Sequence, residues 1–364
     1  MAATQLVMGI FCWALLAGVL VIILRSIEPL PRILVMTAVF ASPYVLQSTL
    51  WMTTDTLTLA LSTLALSLLV QLPQQSDRIW LIACACGAII AAACTVRQTA
   101  VWLIAAAGVA AALSIQLPPL RRAAMAAIMV LPACGSLLSL MAIWGGSTPP
   151  SAREANASRI EPLGLPIGFF LWAFFATPLV LAAWQRIPKD RLTIIGAIVS
   201  GIFCSSPAVF WTSTYEFPNR MGGWPWRIIA ATGGVIDRSP ILVLMAFGGG
   251  ASVFVVLRIL AVNTLVQHAW ILGAAIYLSI IVSTASSYAL PKYREIPLLA
   301  CLPVLVVAMY ALDSSRSSRR RLNRTLILPA ALQVIAGLSI VVLPFVQYLV
   351  DPSSVPAPEW VGKM

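Results

Sequence analysis

Apolar residues run through this chain in long stretches, and polar positions fall in narrow bands between them. Stretches long enough to cross a bilayer as helices, roughly 20 residues each, lie near 5–25, 30–48, 53–71, 78–95, 99–117, 122–144, 165–184, 191–211, 240–258, 266–283, 295–312 and 325–348. Alternation of period two is scarce, which excludes the short alternating strands of an outer-membrane barrel. The pattern predicts an all-α fold, a polytopic transmembrane helix bundle of about 12 spans. It reads as a single transmembrane domain over residues 1–364, with no internal repeat.

Composition points the same way, at 60% hydrophobic and 10% charged residues with a mean hydropathy of +0.94. That mix excludes an ordinary soluble domain. Basic residues then assign the sides. Arg25, Arg32, Arg78, Arg121, Arg122, Arg186, Lys189, Arg191, Arg258 and the arginines of 316–324 fall in alternate connections, which the positive-inside rule makes cytoplasmic. The longer loops at 145–163, 212–239 and 284–294 are then outside. The net charge of +11 is mostly this topology signal. Nucleic acid is not an expected partner, because the cations are spread over short turns; the lipid bilayer is. Around Arg319, Arg320 and Arg321 the charge serves either topogenesis or an anionic lipid.

Two polar clusters interrupt the outer ends of apolar runs. Arg97, followed by Gln98 and Thr99, sits between two Ala-rich stretches, where a guanidinium costs about 2.5–3.5 kcal/mol at a helix centre. It either snorkels to the headgroups or faces an anion or partner. Asp55, after Trp51, Thr53 and Thr54, either caps the following helix or forms part of a site; the two roles are compatible. The reading makes these clusters two walls of one site. A third band, Lys292-Tyr293-Arg294-Glu295, precedes another apolar run on the same expected face, and Arg97 and Arg294 are expected to share a phosphate-sized cavity with Asp55 and Gln98 nearby.

Other features add less. The 212–239 loop carries Glu216, Arg220, Trp224, Trp226 and Arg227, a mixture suited to sugar stacking, phosphate contact or headgroup anchoring. Asn156-Ala157-Ser158 is a glycosylation-type triplet on the expected outer side. All seven cysteines fall in or beside apolar runs without zinc spacing, so they read as small buried apolar groups. His268, the lone histidine, reads as structural. No Walker or dinucleotide glycine pattern occurs.

The segments Trp51-Met52-Thr53-Thr54-Asp55, Thr95-Val96-Arg97-Gln98-Thr99-Ala100-Val101-Trp102 and Tyr293-Arg294-Glu295-Ile296-Pro297 together resemble motifs of the GT-C class of polytopic glycosyltransferases, which use polyprenyl-phosphate-linked sugars. The second is similar to the Arg-Gln-Thr segment of dolichyl-phosphate-glucose glucosyltransferases of lipid-linked oligosaccharide assembly. The third differs from the usual order of basic and aromatic residues. The resemblance extends over most of residues 1–312. It implies inverting sugar transfer on the periplasmic or lumenal face to a lipid-linked or other acceptor, with a carboxylate as base, cations holding the lipid phosphate, and no cofactor or metal. On that reading Asp55 and Glu216 are the catalytic carboxylates, and Glu154 and Glu161 the other outer candidates. Arg97, Gln98, Lys292 and Arg294 hold the donor phosphate; Trp51, Thr54, Thr99, Arg220 and Tyr293 contact substrate.

In the resembled class a first helix runs outward and delivers the loop bearing the base. Here the charge pattern orients the first span inward, so the chain is expected to lack that helix and its loop and to be weakly active or inactive alone. A bacterial inner membrane is expected rather than the endoplasmic reticulum. Two other readings use the same residues: a transporter or flippase of a lipid or small solute, since intramembrane Arg and Asp also mark pathways, and a non-catalytic membrane subunit. A transferase gathers its polar groups at one face; a transporter needs them near the midplane.

Overall fold

Long apolar runs in lipid must satisfy their own backbone hydrogen bonds, and a helix does so within one segment. The computed structural model describes residues 2–50, 54–74, 78–146, 160–211, 223–263, 265–284, 292–312 and 316–350, and these are almost entirely helical. In chain order the helices are α1 (Ala2–Ile23), α2 (Pro29–Phe40), α3 (Pro43–Leu50), α4 (Asp55–Gln71), α5 (Ile79–Val96), α6 (Trp102–Ala112) and α7 (Pro119–Trp144). They continue as α8 (Gly164–Ala182), α9 (Arg191–Phe210), α10 (Gly223–Ala231), α11 (Pro240–Val262), α12 (Val266–Ser283), α13 (Lys292–Ala311) and α14 (Arg316–Val350). No strand is present among the described residues. Nine of their helices are long and apolar enough to cross a membrane. The chain is an all-α integral membrane protein.

Three of the expected runs form shorter helices: Pro29–Phe40, Asp55–Gln71 and Gln98–Ala112. The 30–48 run breaks at Ala41 and Ser42 because Pro43 disfavours helical backbone in the residue before it; α3 then starts with that proline in its first turn. The 99–117 run stops at Ala112, ahead of a turn and Pro118-Pro119.

Burial sorts the helices into layers. Over their spanning windows α13 is 89% buried and α8 78% buried, whereas α7 is 11% buried, so the first two are central and the last faces lipid. On α9, Leu192, Ile195, Ile198, Val199 and Ile202 are exposed, an apolar surface that only hydrocarbon leaves unpenalised. Between α8 and α11 the backbones nearly touch: a Cβ at Gly249 would strike the Phe169 carbonyl. Close approach through small residues is the main source of packing between membrane helices, because lipid supplies no hydrophobic drive.

Charged contacts collect at two opposite ends, while a hydroxyl cluster lies mid-helix between them, with Ser200 bonded to Tyr277 at 2.7 Å and Thr177 to Ser252 at 2.9 Å. At one end, Arg319 pairs with Glu28 at 3.4 Å, Arg321 reaches Gln185 at 2.6 Å and Arg258 pairs with Asp190 at 3.0 Å. There too Gln116 donates to the Pro73 carbonyl at 3.0 Å and Gln267 to the Leu113 carbonyl at 3.4 Å. Every residue in those pairs lies in or beside a connection expected to be cytoplasmic. Asp190 also accepts the Thr193 N–H at 2.6 Å, capping α9. That hydrogen bond, with Arg258 beside it, holds the Asp190 carboxyl below the usual carboxylate range. The opposite end carries the candidate site.

Candidate functional site

The site begins where α5 stops. Arg97 leaves the helix in an extended conformation, and a 3-10 turn over Gln98–Val101 restarts the chain into α6. The reversal therefore has the guanidinium at its corner. Its partner comes from α4, whose first residue is Asp55, with Thr54 before it making no side-chain cap bond. Arg97 Nη1 forms an ion pair with Asp55 Oδ1 and reaches Thr54 Oγ1 at 3.4 Å. The pair is unequal in burial: the Asp55 side chain is 5% exposed and the Arg97 side chain 17%.

That ion pair stands in a cleft of about 280 Å³, counting the part open to solvent. One wall is a face of α4, where Asp55, Thr58 and Ser62 follow the three- and four-residue spacing that stacks side chains on one face. The second wall is Arg97, Thr99, Ala100 and Trp102 from the reversal; the third is Ile296 and Pro297 of α13. The enclosed part has room for about one water molecule. A phosphate group is larger than that enclosed part.

Hydroxyls on α4 are handled in two ways. Thr58 donates to the Thr54 carbonyl at 2.8 Å and Thr63 to the Leu59 carbonyl at 2.7 Å, the local back-bonding open to Thr in a helix. The Ser62 hydroxyl is buried, makes no hydrogen bond among the described residues, and belongs to the cleft wall. The cleft thus presents a guanidinium, a carboxylate and a spare hydroxyl at one end of the bundle.

Of the other expected site residues that are described, Arg294 does not line the cleft. Arg294 is 1% exposed, donates to the Ser283 carbonyl at 2.7 Å and lies against Gly164. It ties the start of α13 to the end of α12 and the start of α8, away from the cleft walls. Gln98 is half-buried in the 3-10 turn, next to the cleft residue Thr99. Lys292 and Tyr293 open α13, and their side chains lie outside the described residues, as do Trp51, Glu154, Glu216 and Arg220 altogether. Glu161 accepts the Leu163 N–H at 3.4 Å, and its own backbone N–H donates to the Thr284 carbonyl at 2.7 Å. It organises the entry to α8.

Three features go beyond the sequence reading. Glu295, fully buried, accepts from Ser42 Oγ at 2.7 Å and from Gln333 Nε2 at 2.9 Å. It joins α13 to the α2–α3 corner and to α14, one residue ahead of the cleft wall. Trp224 and Trp226 are buried at 9% and 4% exposure, with Trp224 packed on Phe170 and Phe174 of α8. They anchor α10 to the bundle and offer no open ring face for a sugar. Arg238 closes the end of α9, donating to the Val209 and Phe210 carbonyls at 2.9 and 3.2 Å. Among the described residues no three His, Cys, Asp or Glu side chains cluster as metal ligands would.

Compared with known proteins, the chain matches no protein-family model, no curated protein and no solved structure.

Proposed function

We propose that the chain is a GT-C-like glycosyltransferase, built on a bundle of twelve spans, that moves a sugar from a polyprenyl-phosphate carrier to an acceptor hydroxyl at the outer face. One observation carries this reading. The three sequence segments that resemble the GT-C class lie far apart in the chain, yet residues from each form the three walls of one cleft around the Asp55–Arg97 pair. A guanidinium there suits a lipid phosphate, because its planar fork pairs two phosphate oxygens at once. The charged pair of the cleft, Asp55 and Arg97, stands at one end of the bundle, as transfer at a membrane face requires.

In the proposed reaction the acceptor oxygen forms a new bond to the anomeric carbon as the bond from that carbon to the phosphate oxygen breaks. The bonding electrons leave with the polyprenyl phosphate, whose growing negative charge Arg97 stabilises. Asp55 takes the proton of the acceptor hydroxyl. Opening of the Asp55–Arg97 pair supplies both groups together: the guanidinium goes to the phosphate, and the carboxylate loses its countercharge and becomes a better base. Lys292, one helical turn before the wall residue Ile296, adds the second cation.

The test uses membranes containing the chain and a panel of radiolabelled polyprenyl-phosphate sugars. The expected outcome is sugar transfer that Asp55→Asn abolishes with donor binding retained, and that Arg97→Lys lowers mainly through weaker donor binding. Transfer at wild-type rate in both variants contradicts the assignment.

A further inference from the structure

Four arginines near the start of α14, Arg319, Arg320, Arg321 and Arg324, divide into two sets. Arg319 pairs with Glu28 at 3.4 Å and sits 4.6 Å above the Tyr310 ring; Arg321 holds Gln185 at 2.6 Å. Both are spent on the protein. Arg320 and Arg324 are exposed on the other side of the helix. Neither has a hydrogen-bond or ion-pair partner among the described residues. Four residues apart, they stand one above the other on a single face.

That face continues downward as apolar surface. Ile327, Leu328, Ile335 and Leu338 are 51%, 57%, 66% and 56% exposed, and Ala331 between them is exposed as well. The opposite face, with Leu322, Leu326, Ala330, Gln333 and Ala336, is buried in the bundle. Two guanidiniums therefore head a lipid-facing strip about 17 Å long at 1.5 Å per residue. Trp184 is 65% exposed beside Gln185, at the level where aromatic rings mark the membrane interface.

We infer that Arg320 and Arg324 form a binding site for one anionic phospholipid, its phosphate held between the two guanidiniums and its acyl chains lying along Ile327, Leu328, Ala331, Ile335 and Leu338. The occupant is a lipid because the charge and the exposed hydrocarbon surface are continuous on one helix face; a soluble phosphate uses only the first. General topogenic charge requires neither their alignment nor their freedom from protein partners. Both guanidiniums project to the headgroup layer on apolar stems, the usual accommodation of long cationic side chains at helix ends. This site is independent of the transferase reading.

Native mass spectrometry of the delipidated full chain, titrated with phosphatidylglycerol against phosphatidylcholine, tests it. The wild type is expected to retain one phosphatidylglycerol in preference. The double variant Arg320→Gln/Arg324→Gln should lose that preference roughly 30-fold, and Arg320→Lys/Arg324→Lys should keep most of it. Arg25→Gln/Arg78→Gln removes two other exposed cations of the same end and should leave it unchanged. Equal retention of the two lipids by the wild type, an unaffected Gln double variant, or an equal loss in the Arg25/Arg78 control overturns the site. The last outcome means diffuse charge attraction. Displacement of the lipid by inorganic phosphate alone also overturns it, because the acyl strip then contributes nothing.

Discussion

Removing Arg97 should destabilise the fold more than removing Asp55, although each deletion breaks the same ion pair. Arg97→Ala takes this countercharge from a carboxylate that is 5% exposed, and removing one partner of a buried pair costs about 3–5 kcal/mol. Asp55→Ala leaves a guanidinium that is 17% exposed on a long stem able to turn toward the headgroups, a cost of about 1 kcal/mol. The double deletion removes both charges, so it should cost less than the sum of the singles by about 2–3 kcal/mol. Reversible unfolding in mixed micelles, followed by tryptophan fluorescence, gives all three values. Two singles within about 0.5 kcal/mol of wild type, with a double equal to their sum, would refute the view that this pair is a tight, partly desolvated contact.

Three further outcomes are expected. Glu295→Ala should lower the melting temperature strongly, since the buried Ser42 and Gln333 donors each lose an acceptor at about 1–3 kcal/mol; Glu295→Gln keeps an acceptor oxygen and should cost clearly less. Gly249→Ala should destabilise by about 1–3 kcal/mol, because its methyl meets the Phe169 backbone. Gly248→Ala meets nothing within 4 Å and should be neutral or stabilising; detergent melting curves of the two variants check this. Asp190→Asn retains a capping side chain but loses the charge. The Asp190 carboxyl is held low, so its advantage over Asn should be full above the ordinary carboxylate range and vanish as pH falls through the depressed value. Paired pH–stability profiles decide it.

The helical architecture was legible because apolar run length is a one-dimensional property. The break at Pro43 was also written locally, in a proline that no continuous helix accommodates easily, although the hydropathy run passed over it. Depth was legible for Asp55 and Arg97, two polar clusters at the same ends of neighbouring runs. Direction around the helix axis was not. Arg294 shares the expected depth of Arg97, but its guanidinium turns to the Ser283 carbonyl, a choice set by where α12 ends. Glu295 read as one more charge in a loop because its partners lie 253 and 38 positions away in sequence. Trp224 has the composition of an interfacial anchor and of a sugar platform alike. Only the position of Phe170 and Phe174 turns it inward.

The most direct measurement of the central claim is binding of a polyprenyl-phosphate-linked sugar to the chain in nanodiscs, with wild type and Arg97→Lys compared at equal protein. The account predicts saturable binding in the wild type and about tenfold weaker binding in the lysine variant, because an ammonium keeps the charge but cannot grip two phosphate oxygens. Equal affinity in the two proteins, or no saturable binding in the wild type, would contradict the assignment of Arg97 to the donor phosphate.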